Sequence, residues 1–154
     1  MKFYLYDQNN SGGSFIVDED VTHRLLIEAD SVEEANQKAV ELGVYFDGCD
    51  EGMDCPCCGD RWYSGDEKTF PLQFGIFSES EAIRIAEQLG GLVVETKFKG
   101  QTKERQKDVI FQTPESYLQY LADSYGWTDP DGYIYYKDGR KVSISGRKMG
   151  SGKR

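Results

Sequence analysis

The chain has 154 residues, enough for one ordinary hydrophobic core, and carries 27 Asp and Glu against 18 Lys and Arg. The resulting net charge of −9 argues against a folded face that binds a phosphate backbone. The opening run Met1 to Asp7 is too short for a secretory leader, and no stretch approaches the ~20 apolar residues of a membrane span, so a cytosolic protein with reduced thiols and no membrane partner is expected.

In chain order, Arg24-Leu25-Leu26-Ile27-Glu28 reads as a strand. Ser31 followed by Glu34 forms a capping box, and Val32, Ala35, Ala39 and Leu42 fall on one stripe of a helix that Gly43 stops. Val44-Tyr45-Phe46 is expected to resume extended structure before an irregular stretch, 47–69, that holds every cysteine. Leu72 to Phe77 reads as a second strand, Ser78 with Glu81 as a second cap, and Ala82, Ile85, Ala86 and Leu89 as a second stripe. Gly90-Gly91 ends that helix, and Leu92 to Phe98 reads as a strand.

The third unit runs from Val109-Ile110-Phe111 through Thr113-Pro114 into a helix presenting Leu118, Leu121 and Tyr125, stopped by Gly126. Asp129-Pro130-Asp131-Gly132 reads as a turn, and Tyr133 to Ser145 as a hairpin about Asp138-Gly139. A two-residue turn there puts Tyr133, Tyr135, Val142 and Ile144 on one core-facing side. The pattern predicts the α+β class: a mixed sheet with about three helices against one face and a loop-borne zinc knuckle. It predicts one domain over 1–145, and a flexible basic tail over 146–154.

Cys49, Cys55, Cys57 and Cys58 are the four cysteines, and Cys55-Pro56-Cys57-Cys58-Gly59 has the Cys-x-x-Cys-Gly form of a zinc knuckle. Disulfides inside so short a window close loops too small to constrain the unfolded chain much, which favours metal. Cys49, Cys55 and Cys58 supply three zinc ligands at comfortable spacing, and Cys57 or His23, the one histidine, supplies the fourth. The local set of four cysteines is preferred. Asp47, Asp50, Glu51, Asp54 and Asp60 crowd the cluster; like charge raises thiol pKa values and disfavours a catalytic cysteine, whereas a divalent cation reverses the repulsion. Structural zinc contributes ~10–16 kcal/mol in small peptides, so metal loss is expected to melt at least the loop. Arg61-Trp62-Tyr63, just beyond the knuckle, forms a candidate partner-binding patch whose plainer role is to pack the loop onto the body.

Other signals fail. The acids lack the alternate spacing of an EF-hand loop. Gly146 to Lys153 has the wrong glycine spacing for a phosphate-binding loop and no following Ser or Thr. No nucleophile elbow accompanies the single histidine, so no catalytic residue is assigned and the reading leans away from an enzyme.

Across Met1 to Asp7, the helix start Asp30-Ser31-Val32-Glu33-Glu34-Ala35, and Gly43 through Cys49 to Asp54-Cys55-Pro56-Cys57-Cys58-Gly59-Asp60-Arg61-Trp62, the chain resembles a family of small proteins encoded by tailed bacteriophages. That resemblance covers about the first 65 residues and implies a viral origin and expression in a bacterial cytosol. It agrees with a zinc-stabilised accessory protein acting by binding a host protein, and residues 1–136, with a net charge of −15, suit a partner with a basic surface. The alternatives are a protein that binds or hydrolyses a small molecule in a pocket between sheet and loop, and a nucleic-acid-associated protein using the knuckle and basic tail.

Overall fold

The computed structural model describes residues 1–9, 13, 15–96, 106–125 and 131–146. β1 (Lys2–Asp7) pairs antiparallel with β2 (Arg24–Glu28), and β2 pairs in parallel with β7 (Gly132–Tyr135). β3 (Asp66–Thr69) and β8 (Lys141–Ile144) add the outer strands, giving the order β3-β1-β2-β7-β8. β4 (Leu72–Ser78), β5 (Leu92–Glu95) and β6 (Gln106–Phe111) form a smaller antiparallel sheet in the order β4-β6-β5. With α1 (Val32–Leu42), α2 (Glu79–Leu89) and α3 (Pro114–Tyr125), this is the expected α+β class with a mixed sheet. No helix among the described residues is long and apolar enough to cross a membrane.

The helix starts follow local chemistry. Ser31 accepts the Glu34 N–H at 3.2 Å while the Glu34 carboxylate accepts the Asp30 N–H at 3.0 Å, and Ser78 accepts the Glu81 N–H at 3.3 Å. Thr113 caps α3 by accepting the Ser116 N–H at 3.1 Å. Gly43, at φ 116°, ends α1 in the left-handed conformation that glycine adopts without a side-chain clash.

The helices occupy both faces of the five-stranded sheet rather than one. Its central strands are apolar on both sides: Phe3, Leu26 and Ile134 point one way, and Tyr4, Tyr6, Leu25, Ile27 and Tyr133 the other. A strand with two apolar faces must be covered twice. The small sheet, α2 and α3 cover the first face; α1 and the segment around Trp62 cover the second.

Three local expectations are corrected. Val44-Tyr45-Phe46 forms no strand, because the Val44 N–H bonds back to the Ala39 carbonyl at 3.0 Å and the chain turns directly into the cysteine loop. Residues 66–69, read as loop, pair with β1, and β6 starts at Gln106. In the hairpin, Tyr135 lies opposite Lys141, one residue off the expected register. The Gly139 N–H closes a turn on the Tyr136 carbonyl, Gly139 takes φ 94°, and the loop therefore has three residues, 137–139. That single-residue shift reverses the faces: Ile134, Val142 and Ile144 enter the first core, and Tyr133 and Tyr135 turn to the second. Gly126, the Asp129-Pro130 part of the predicted turn, Lys97-Phe98 and the tail from 147 lie outside the described residues.

Candidate functional site

The cysteine loop is built on backbone hydrogen bonds. Asp47, at φ 59°, starts it, and the Gly48 carbonyl accepts the N–H groups of Met53 and Asp54 at 2.8 and 3.0 Å. The Cys58 and Gly59 N–H groups then both bond to the Cys55 carbonyl at 3.1 Å, and Gly59 takes φ 89°. This is the tight turn that Cys-x-x-Cys-Gly encodes, with glycine at the left-handed position.

Cys49 and Cys55 are half-buried, Cys57 and Cys58 exposed, and all four are free thiols. Hydrogen bonding from the Cys57 backbone, then from Cys58, outweighs desolvation and holds the Cys55 thiol below the usual range. Desolvation, reinforced by the carboxylates of Asp60, Asp54 and Asp50, pushes the Cys49 thiol up to about 11; its sulfur faces the Cys55 carbonyl at 3.5 Å. Among the described residues, no three His, Cys, Asp or Glu side chains are gathered in an arrangement able to hold a metal ion. His23 is buried just before β2 with its ring 4.2 Å from that of Phe15, and burial, opposed by Asp131, lowers its pKa.

The expected contact patch is corrected for two of its three residues. Trp62 is 1% exposed and packs in the second core, while Arg61 is buried with its guanidinium turned inward; Tyr63 alone is exposed, at 57%. The indole is too large an apolar surface to leave in water when the loop must be anchored. Tyr63 stands against the knuckle, its hydroxyl beside Gly59.

Arg61 and Asp54 form a buried network that spacing did not reveal. The Asp54 carboxylate accepts the Tyr45 hydroxyl at 2.6 Å and the Arg61 backbone N–H at 2.8 Å, and lies 3.7 Å from Arg61 Nε. The Arg61 guanidinium donates to Tyr45 Oη at 3.1 Å and to Gln8 Oε1 at 3.0 Å. Asn9 donates to the carbonyls of Cys58 and Asp60, at 2.9 and 3.1 Å. The sequence separation of Gln8 and Asn9 from the loop leaves no local signal.

A second charged group sits at the sheet's end, where Arg24 reaches the fully buried Asp131 at 3.4 Å and Asp7 at 3.7 Å. Surface recesses lie elsewhere, among them one of about 410 Å³ along α1 lined by Glu34, Gln37, Lys38, Glu41 and Lys137. Another, about 350 Å³, runs between α2 and α3 past Glu81, Arg84, Tyr120 and Asp123. A third, about 260 Å³, lies between α1 and the β7–β8 hairpin, beside Lys38, Lys137 and Arg140. Each of those cations already has an acceptor: the Glu28 carbonyl, Asp30 and Asp138 respectively.

Fold and loop together define a two-sheet α+β protein carrying a preformed Cys-x-x-Cys-Gly turn. Residues 1–80 match the family described as a domain of unknown function (DUF7296), and the chain belongs to that family. The matched span holds β1 to β4, α1 and the complete cysteine loop. No curated protein and no solved structure matches the chain.

Proposed function

We propose that this is a bacteriophage-encoded accessory protein that binds zinc through Cys49, Cys55, Cys57 and Cys58 and acts by binding a host protein with a basic surface in the bacterial cytosol. The turn at Cys55 carries the reading. Hydrogen bonding from Cys57 and Cys58 favours the Cys55 thiolate, the form that ligates a metal, and the Cys58 and Gly59 N–H groups on the Cys55 carbonyl close the turn between Cys55 and Cys58, with Gly59 supplying the bend. Zinc binding draws the Cys49 sulfur away from the Cys55 carbonyl, and the cation offsets the repulsion of Asp50, Asp54 and Asp60. His23, facing Phe15 and Asp131, is the less suited fourth ligand.

The binding part of the reading rests on charge: 26 acids against 11 bases over residues 1–136 steer a cationic partner. Tyr63 replaces Trp62 as the contact residue beside the knuckle. Elemental analysis of protein purified without chelator is expected to give about one zinc per chain, lost in Cys55→Ser and Cys58→Ser and kept in His23→Ala. Metal-free protein refutes the zinc reading. Capture from bacterial lysate followed by calorimetry at two salt concentrations is expected to give a partner whose affinity falls with salt and with Tyr63→Ala. A partner indifferent to both refutes the placement.

A further inference from the structure

Small zinc modules owe their folded loops to the metal, and the cysteine spacing alone suggests the same here. We propose instead that the loop is held by a protein frame centred on Asp54, so that loss of metal leaves the loop folded. The inference rests on the zinc reading for the identity of the metal, and on the hydrogen bonds alone for the frame.

The Asp54 side chain is completely buried, and a buried carboxylate persists only when its oxygens are occupied. Tyr45 takes one oxygen, the Arg61 backbone takes the other, and the Arg61 guanidinium lies beside the first. Gly48 packs so closely that a Cβ there would meet Asp54 Oδ2 at 1.9 Å, so the loop's entrance is moulded around the same carboxylate.

The frame reaches each part of the thiol cluster. Asp60 Oδ1 accepts the Cys49 N–H at 2.9 Å, and Asn9 holds the Cys58 carbonyl. The Asn9 N–H bonds to the Arg61 carbonyl at 2.9 Å, and Arg61 continues to Gln8. Gln8 in turn donates to the carbonyls of Ile16 and Thr22, both at 3.0 Å, and accepts the Ile16 N–H at 2.7 Å. Trp62, one residue past Arg61, is fixed in the second core. The exit is thus tied to the end of β1 by the buried, charge-assisted bond from Arg61 to Gln8, the knuckle by Asn9, and the entrance to the buried Asp54 carboxylate. A loop backbone held this way gives up little conformational entropy when an ion binds, and only the cysteine side chains have to turn.

Amide hydrogen exchange on the full chain, with zinc content measured in parallel before and after chelation, tests this. The Asp54 and Arg61 amides are expected to exchange within a factor of about three of their starting rates after zinc is removed. In Asp54→Asn they are expected to exchange roughly 10- to 100-fold faster with or without metal. Tyr45→Phe, which removes one hydroxyl and spares the core, gives a smaller acceleration in the same amides and serves if Asp54→Asn does not fold. Zinc present and protection lost on chelation overturns the frame and leaves the zinc reading intact. Zinc absent from untreated protein with the amides protected supports the frame and refutes the zinc reading. Unchanged exchange in both variants overturns the frame.

Discussion

One face of the five-stranded sheet is closed by rings packed on rings, the other by small helix residues, the single indole of Trp62 and tyrosines that end in hydrogen-bonded hydroxyls. On the first, Phe3 meets Phe70 at 5.7 Å and Tyr136 at 5.6 Å, Phe74 meets Tyr117 at 5.4 Å, and Phe111 meets both Tyr117 and Tyr120 at 5.5 Å. On the second, α1 contributes Ala35 and Ala39 as its buried residues, and tyrosines extend past the core to polar acceptors. Tyr6 donates to Asn36 at 2.7 Å, Tyr133 to the Asp18 carbonyl at 2.9 Å and Tyr135 to the Asp20 carbonyl at 2.5 Å. The ring face concentrates apolar burial, which governs global unfolding. The hydroxyl face spends its contacts on holding loops in place, which governs local opening. The family match over residues 1–80 takes in the second face's helix and loop but stops short of β6 and α3, which complete the ring face.

The sharpest test of this contrast is Phe111→Ala, which removes a fully buried ring contacting Phe74, Tyr117 and Tyr120. A loss of about 3–5 kcal/mol is expected in urea unfolding, with all probes moving together. A loss confined to one region would dissolve the distinction between the faces. Gly48→Ala presses a methyl group into the Asp54 carboxylate on the other side, and costs about 1–3 kcal/mol. Its effect is expected chiefly in the loop: faster amide exchange and weaker zinc retention, with a smaller change in the global midpoint than Phe111→Ala gives.

The smallest effect concerns pH. Burial lowers the folded-state pKa of His23 from 6.5, with Asp131, Arg24 and Asp7 as its charged neighbours. The unfolded chain therefore takes up the proton first, so the stability that this group contributes is present above about pH 6.5 and is lost as pH falls through the folded value. Asp7 and Asp131, both raised by burial, act in the opposite sense, contributing stability below the carboxylate range that is lost as pH rises. The difference in melting temperature between wild type and His23→Gln, measured from pH 7 to 5, isolates the histidine. That difference is expected to change steadily across the window, and a constant difference refutes the assignment.

Local pattern was enough for the helices, for most strands, and for the knuckle turn. Ser31, Ser78 and Thr113 cap where their side chains reach the third amide of a helix, Gly43 and Gly90 stop where a left-handed residue is needed, and Gly59 bends the Cys55–Cys58 turn. Each of these depends on groups within a few residues of one another. Tertiary structure decided what local pattern leaves degenerate. The hairpin register turned on one residue of loop length, and with it which of Tyr135 and Ile134 faces the rings. Tyr45 passed from predicted strand to hydrogen-bond donor because Asp54 needed a partner, and Trp62 left the surface because the second sheet face needed cover. Gln8 and Arg61, 53 residues apart, met only when β1 and the loop packed together. Burial creates that demand for partners, and nothing short of the folded chain says which residues will be buried side by side.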